Sequence, residues 1–278
     1  MLWKKGMLFC EISPLTYAIS EQKEIARRHL KNAMSKEVIA RSYYDGKLPA
    51  VIYRQSSHLI KRGKGIDPVL QQNKAENIRL ACAEINGLII RPGETFSFWL
   101  TVGPTTKQRG YKDGRVIING KLISGIGGGL CNLSNTIHRV ILHSPMEVTE
   151  FHSHSDALAP DEHGRVPFSA GTSVSYNYID YRFKNTTSQH VQLLAWCEGD
   201  ELFVELRSRK PFPCRYDISE EGHHFQKEGD KYYRVSKIYK DTYDKKTGKR
   251  LMHQLVLDNH SEVMFDPELI PKEQLWEE

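Results

Sequence analysis

The first ninety residues follow a helical period. Over residues 20–42, Ile25, Leu30, Met34 and Val38 recur at helical spacing, which predicts an amphipathic helix. Asp67-Pro68 predicts an N-cap with proline at the first helical position. Leu70, Asn77, Ala81 and Ile85 carry that helix forward, and Asn86-Gly87 ends it. A Gly/Lys-rich connection separates the two helices.

From Leu88 the pattern shortens toward a period of two. Arg91-Pro92-Gly93 predicts a turn, and residues 95–99 a strand with Phe96 and Phe98 on one face. Residues 116–118 and 121–123 flank Asn119-Gly120, the signature of a hairpin with a type I′ turn. Residues 124–129 are a glycine-rich loop. Residues 130–143 read as a helix stopped by Ser144-Pro145. Strands are expected at 146–152, 172–176 and 179–184. Residues 191–197 and 201–207 pair across Glu198-Gly199-Asp200, and 233–239 with 251–257 form a last hairpin.

These elements predict an α+β fold: N-terminal helices, then a central, mostly antiparallel sheet with a Cys-bearing helix packed on it, then a C-terminal β-hairpin extension. The expected organisation is a helical segment at 1–65, a central domain at 66–208 and a charged β extension at 209–278.

Composition narrows the function classes. The 278 residues are 39% hydrophobic and 26% charged, which excludes a disordered or collagen-like chain and a membrane bundle. A net charge of +5 without a clustered basic face gives no nucleic-acid footprint. Five cysteines, none at Cys-x-x-Cys spacing, point away from a disulfide framework or structural zinc. The first residues carry Glu11 and Pro14 within a mixed stretch and read as neither signal peptide nor anchor. No run of 18 apolar residues predicts a transmembrane segment. Reduced thiols and the lack of an export signal lead us to expect a cytoplasmic protein.

The candidate chemistry sits at Gly125-Ile126-Gly127-Gly128-Gly129-Leu130-Cys131-Asn132-Leu133-Ser134. Leu130, Leu133, Ile137 and Ile141 make an apolar stripe. Cys131, Ser134, Asn135 and His138 then fall on the other side, away from the core. A thiol in the first turn of a helix meets partial positive charge, which favours the thiolate and makes a nucleophile. Gly127, Gly128 and Gly129 let amide hydrogens approach a substrate and form an oxyanion hole. The structural alternative is a small buried residue beside a tight turn.

A nucleophilic thiol needs a base and an orienting group. Phe151-His152-Ser153-His154 offers two imidazoles on one face of a strand, and Asp180 a carboxylate within an apolar strand. The order Cys131, then His154 or His152, then Asp180 resembles the arrangement of transglutaminase-like cysteine enzymes. Structural roles compete here too: solvated loop histidines, and an aspartate paired with Arg182 or Lys184. His138, His143, His152, His154 and His163 also raise a metal reading, but no His-Glu-x-x-His occurs and we expect neither metal nor cofactor. Glu94 is a candidate pocket floor, with ordinary turn chemistry as its alternative.

Several motifs together carry a family resemblance. They are Arg91-Pro-Gly-Glu-Thr-Phe-Ser-Phe-Trp99, Val102-Gly-Pro104, Gly110-Tyr-Lys-Asp-Gly114, Asn119-Gly-Lys121 and Gly127-Gly-Gly-Leu-Cys131-Asn-Leu-Ser134, closed by Ile179-Asp180 and Phe183-Lys-Asn185. In order and spacing they resemble the VanW family from about residue 70 to residue 207. The resemblance implies a bacterial protein linked to vancomycin resistance or peptidoglycan metabolism, and no particular reaction. Asn132 stands where the family usually has Gln, one methylene longer.

Two functions are therefore expected to compete. One is a cysteine enzyme for acyl transfer or hydrolysis at a peptide amide, with Cys131 as nucleophile, His154 or His152 as base and Asp180 orienting. The other is a module without chemistry that binds a peptide carboxylate, or another anionic cell-wall precursor, at the glycine-rich helix start. Gly127, Gly128, Gly129, Asn132, Ser134 and Glu94 are the expected substrate-binding residues in either case.

Overall fold

The computed structural model describes residues 8–60, 62, 67–118, 121–153, 156–157 and 171–276. Helix α1 (Pro14–Met34) starts at Ser13, whose hydroxyl accepts from the Thr16 amide. It covers 14–34 rather than 20–42, and Arg28 is its one buried residue. Leu30 and Met34 are 61% and 75% exposed, so the predicted apolar stripe faces solvent. The helix docks instead through polar groups, because Arg28 and Asn32 bond residues of the sheet described below.

Strands β1 (Ser42–Tyr43) and β2 (Ala50–His58) follow, so the segment 1–65 is not helical throughout. The sequence hides β2 because its half-buried positions include Gln55 and Ser57, which erase the period of two. Helix α2 (Pro68–Ile85) matches its prediction. The Asp67 carboxylate accepts from Val69 and Leu70 amides at 2.8 and 3.3 Å, and Gly87 turns the chain at φ +88°.

Strands β3 (Leu88–Ile90) and β4 (Thr95–Ser97) lead into the short helix α3 (Phe98–Val102). The strand expected at 95–99 stops early because the Ser97 hydroxyl caps α3, accepting from the Leu100 amide at 3.2 Å. The hairpin β5 (Asp113–Ile118) and β6 (Lys121–Ile126) forms as predicted; its apex, Asn119-Gly120, lies outside the described residues. Helix α4 (Leu130–Leu142) carries Cys131. Next come β7 (Glu147–Glu150), β8 (Asp156–Ala157) and β9 (Arg182–Lys184). The two strands expected at 172–176 and 179–184 shrink to β9 plus two isolated bridges, Ser153 with Thr172 and Ser175 with Ile179, the latter around Asn177 at φ 49°. The chain ends with β10 (Val191–Glu198), β11 (Glu201–Ser208), β12 (Cys214–Glu228), β13 (Lys231–Asp244), β14 (Arg250–Val263) and β15 (Leu275–Trp276).

The central sheet has the antiparallel order β1-β3-β10-β11-β2. Helix α2 packs on β10, and α4 packs on β11 and β2. Val191, Leu193 and Ala195 share one strand face and are almost fully buried, whereas Trp196 and Phe203 stack on the other face beneath Arg54. A three-stranded sheet, β4-β9-β7, continues the same core through Phe96 and Phe183. The last seventy residues form a larger unit than the expected hairpin: β12, β13 and β14 pair along their lengths. That sheet meets α4 through Ile238 against Leu142 and through Lys240, whose ammonium donates to the Ser144 carbonyl at 2.6 Å. A cation there complements the negative end of α4.

Candidate functional site

The glycine loop is shaped by close backbone packing. A Cβ on Gly128 would lie 2.3 Å from the Gly114 carbonyl carbon, so hairpin and loop touch main chain to main chain. Gly129 sits at φ +99°, and its Cβ would lie 2.3 Å from Lys74 Cγ of α2. Asn77 of α2 is fully buried and fastens this contact. Its Nδ2 donates to the carbonyls of Lys112 (2.9 Å) and Gly128 (3.0 Å), and its Oδ1 accepts from the Lys112 amide at 2.8 Å.

Those contacts limit the expected oxyanion hole. The Gly127 amide donates to the Lys112 carbonyl at 3.0 Å and the Gly128 amide to the Gly125 carbonyl at 3.1 Å. What remains is the first turn of α4, which no side chain caps at Gly129.

Cys131 stands in that turn, but not on an open face. It packs partly buried against the core, and its Sγ lies 3.8 Å from the Val174 carbonyl. Burial pushes the thiol up from its ordinary value, and the hydrogen bonds to backbone only partly offset this. Desolvation therefore outweighs the helix dipole, the reverse of the thiolate expected from position alone. Two further residues on the polar side of α4 are buried. Ser134 is fully buried and donates to the carbonyls of Cys131 (3.1 Å) and Thr172 (3.2 Å). His138 is buried, with Nδ1 3.1 Å from the Tyr181 hydroxyl and its ring stacked on Phe151. The expectation that this side points away from the core is corrected: residues 172–181 fold over it.

Asp180 is fully buried and its carboxylate is spent on structure. It accepts from the Ser97 hydroxyl (2.6 Å), the Trp99 amide (3.0 Å), the Tyr181 amide (2.9 Å) and Arg182 Nε (2.8 Å). Its partner is thus Arg182 rather than an imidazole. His152 is 44% exposed and contacts Glu150 Oε1 at 3.1 Å. His154 lies outside the described residues. Asn132 ties α4 to β2, with Oδ1 accepting from the Ser57 hydroxyl at 2.7 Å and Nδ2 donating to the His58 carbonyl at 3.1 Å. Glu94 Oε2 accepts from the Arg91 amide at 2.8 Å and so closes its own turn.

The sequence did not reveal the charge network that joins α1 to the three-stranded sheet. Arg182 donates to Glu37 and Asn32, both at 2.6 Å, and Arg28 pairs with Glu150. These partners are separated by more than a hundred residues in sequence, so no local pattern marks them. A cavity of about 370 Å³ opens beside this network, lined by Lys36, Glu37, Thr95, Glu147 and Lys184 among others. It includes none of the candidate site residues. Among the described residues, no group of three His, Cys, Asp or Glu can hold a metal ion, and no helix is long and apolar enough to cross a membrane.

The profile of a family described as "VanW like protein" matches residues 73–207, from the middle of α2 to the end of β11. Residues 73–207 thus carry a VanW-like domain. Vancomycin B-type resistance protein VanW of Enterococcus faecalis is 28% identical over 218 residues, covering 78% of this chain and 79% of that relative. An uncharacterised protein of Bacillus subtilis, YoaR, is 30% identical over 137 residues. That match covers 49% of this chain and 44% of YoaR. No solved structure matches. The VanW-like region thus contains the glycine loop, α4 and Asp180, and stops before the β12–β14 sheet.

Proposed function

We propose that this chain, with its VanW-like domain, is an accessory protein of vancomycin resistance or cell-wall metabolism that works by binding, not by cysteine chemistry. The ligand class is a cell-wall peptide with a free carboxylate, held at the uncapped first turn of α4 beside Lys74. The family match and the printed name of the Enterococcus relative support the cell-wall context. A helix start presents amide hydrogens and partial positive charge, which suit a carboxylate. Five free thiols support a cytoplasmic place of action.

One observation carries the choice of binding over catalysis. The Cys131 thiol is held protonated by burial, while Asp180 bonds Ser97, two backbone amides and Arg182. A thiol of this kind is a poor nucleophile near neutral pH. The reading is tested with Cys131→Ala expressed in a strain that lacks the native copy. Glycopeptide susceptibility is expected to stay at the wild-type level. In parallel, amide resonances of Leu130 and Cys131 are followed during titration with a short peptide, as the free acid and as the C-terminal amide. Shifts with the acid alone support the reading. Loss of resistance in Cys131→Ala, together with an acyl adduct on Cys131 in the wild type, would establish the cysteine enzyme instead.

A further inference from the structure

Two cysteines outside the candidate site meet across the helix–sheet interface. Cys82 lies in the last turn of α2, and Cys197 near the end of β10. Helix α2 packs directly on β10, and the two are pinned nearby by the Gly87 amide on the Leu193 carbonyl (3.1 Å) and the Ala195 amide on Asn86 Oδ1 (3.3 Å). Cys197 shares the strand face of Leu193 and Ala195, the face that α2 covers. Cys82 is 3% exposed within the core cluster, and Cys197 packs against that cluster.

The two thiols are unequal. Cys82 is enclosed by the core, and the neighbouring Cys197 together with burial pushes its thiol up. Cys197 is partly exposed, and the neighbouring Cys82 with Arg79 holds its thiol below the ordinary value against burial and Glu76. Arg79 is held beside it by the Glu76 carboxylate (3.0 Å) and the Gly199 carbonyl (3.1 Å). A partly exposed sulfur packed beside a second, enclosed thiol is the arrangement of an oxidisable pair. Nothing in the α4 site uses either residue.

We propose that Cys197 and Cys82 form a peroxide-oxidised dithiol, with Cys197 as the attacking sulfur and Cys82 as the resolving one. The Cys197 thiolate attacks hydrogen peroxide, breaking the O–O bond to give a sulfenic acid and hydroxide. Cys82 then attacks that sulfur, forming the S–S bond and releasing water, its proton leaving with the departing oxygen. Two thiols are oxidised by two electrons and one peroxide is reduced. The product staples α2 to β10, and α2 carries the Asn77 and Lys74 contacts that seat the glycine loop.

The test treats the reduced full chain with hydrogen peroxide, blocks free thiols and maps peptides without reductant. The expected product is one cross-linked peptide pair holding Cys82 and Cys197. It is lighter by two hydrogens, about 2 Da, than the separate reduced peptides, and dithiothreitol reverses it. In Cys82→Ser, Cys197 is expected to persist as a sulfenic acid that dimedone traps. Cys197 driven to sulfinic acid in the wild-type chain without any cross-link would overturn the proposal. So would oxidation of Cys10 or Cys214 ahead of Cys197. The wild-type map decides the matter alone if the variant does not fold.

Discussion

Asp180 shows how one residue can carry a catalytic signature and do structural work. Its place in an apolar stretch suggested an orienting acid, and its burial is complete. The carboxylate instead holds the start of α3, through Ser97 and the Trp99 amide, to the start of β9, through Tyr181 and Arg182. Arg182 is itself only 5% exposed, so removing the charge of Asp180 leaves a buried cation short of a partner. Breaking one side of a buried ion pair costs about 3–5 kcal/mol. Glu37 remains on Arg182, so Asp180→Asn is expected at the lower end, a loss of about 3 kcal/mol in urea unfolding. A variant of wild-type stability that fails in resistance would return Asp180 to the catalytic list.

At the scale of elements, the glycine loop and α4 work as one packed unit with α2 and the β5–β6 hairpin. Gly128→Ala would drive a Cβ into the Gly114 backbone, which cannot swing aside as a side chain can. Gly248→Ala meets nothing within 4 Å and bears only the strain of φ +70°. The expected losses are about 3 kcal/mol for the first, at the upper end of ordinary overpacking, and about 1 kcal/mol for the second. Chemical denaturation of both variants measures the difference; equal losses would mean that the loop has room to shift. Elements with local punctuation were legible in the sequence. Asp67-Pro68 and Asn86-Gly87 mark α2, Glu198-Gly199-Asp200 marks the β10–β11 hairpin, and the glycine run marks the start of α4. Elements stabilised by distant partners were not. Strand β2 turns Gln55 and Ser57 inward, β12 is a charged strand held by β13, and α1 docks through Arg28 instead of its apolar stripe. The burial of Cys131 belongs to the same group, because residues 172–181 return from forty positions away to cover it.

Across the whole molecule, one buried and one half-buried group make stability depend on acid in the same direction. Burial, with the charge of Lys240, pushes His138 from 6.5 down to about 3. The unfolded chain takes up that proton below 6.5 and the folded chain refuses it, so His138 lowers stability as pH falls from 6.5 toward 3. Glu150 joins β7 to α1 and to Arg182. Burial works against its charge, but His152, Arg28 and Arg182 hold it from 4.5 down to about 2. A depressed carboxylate stabilises above its unfolded value and loses that contribution as pH falls through the folded one, here between 4.5 and 2. The unfolding free energy should therefore drop in two stages. The first is about 2 kcal/mol by about pH 5, from His138. The second, between 4.5 and 2, adds about 2 kcal/mol from Glu150, after allowance for solvent screening, to the loss that His138 continues down to pH 3. Glu150→Gln is expected to lie below the wild type by that second amount near neutral pH and to converge with it near pH 2. Urea midpoints across the pH series measure both stages. If the two curves instead run parallel down to pH 2, Glu150 is not the charge that fastens α1 to the sheet.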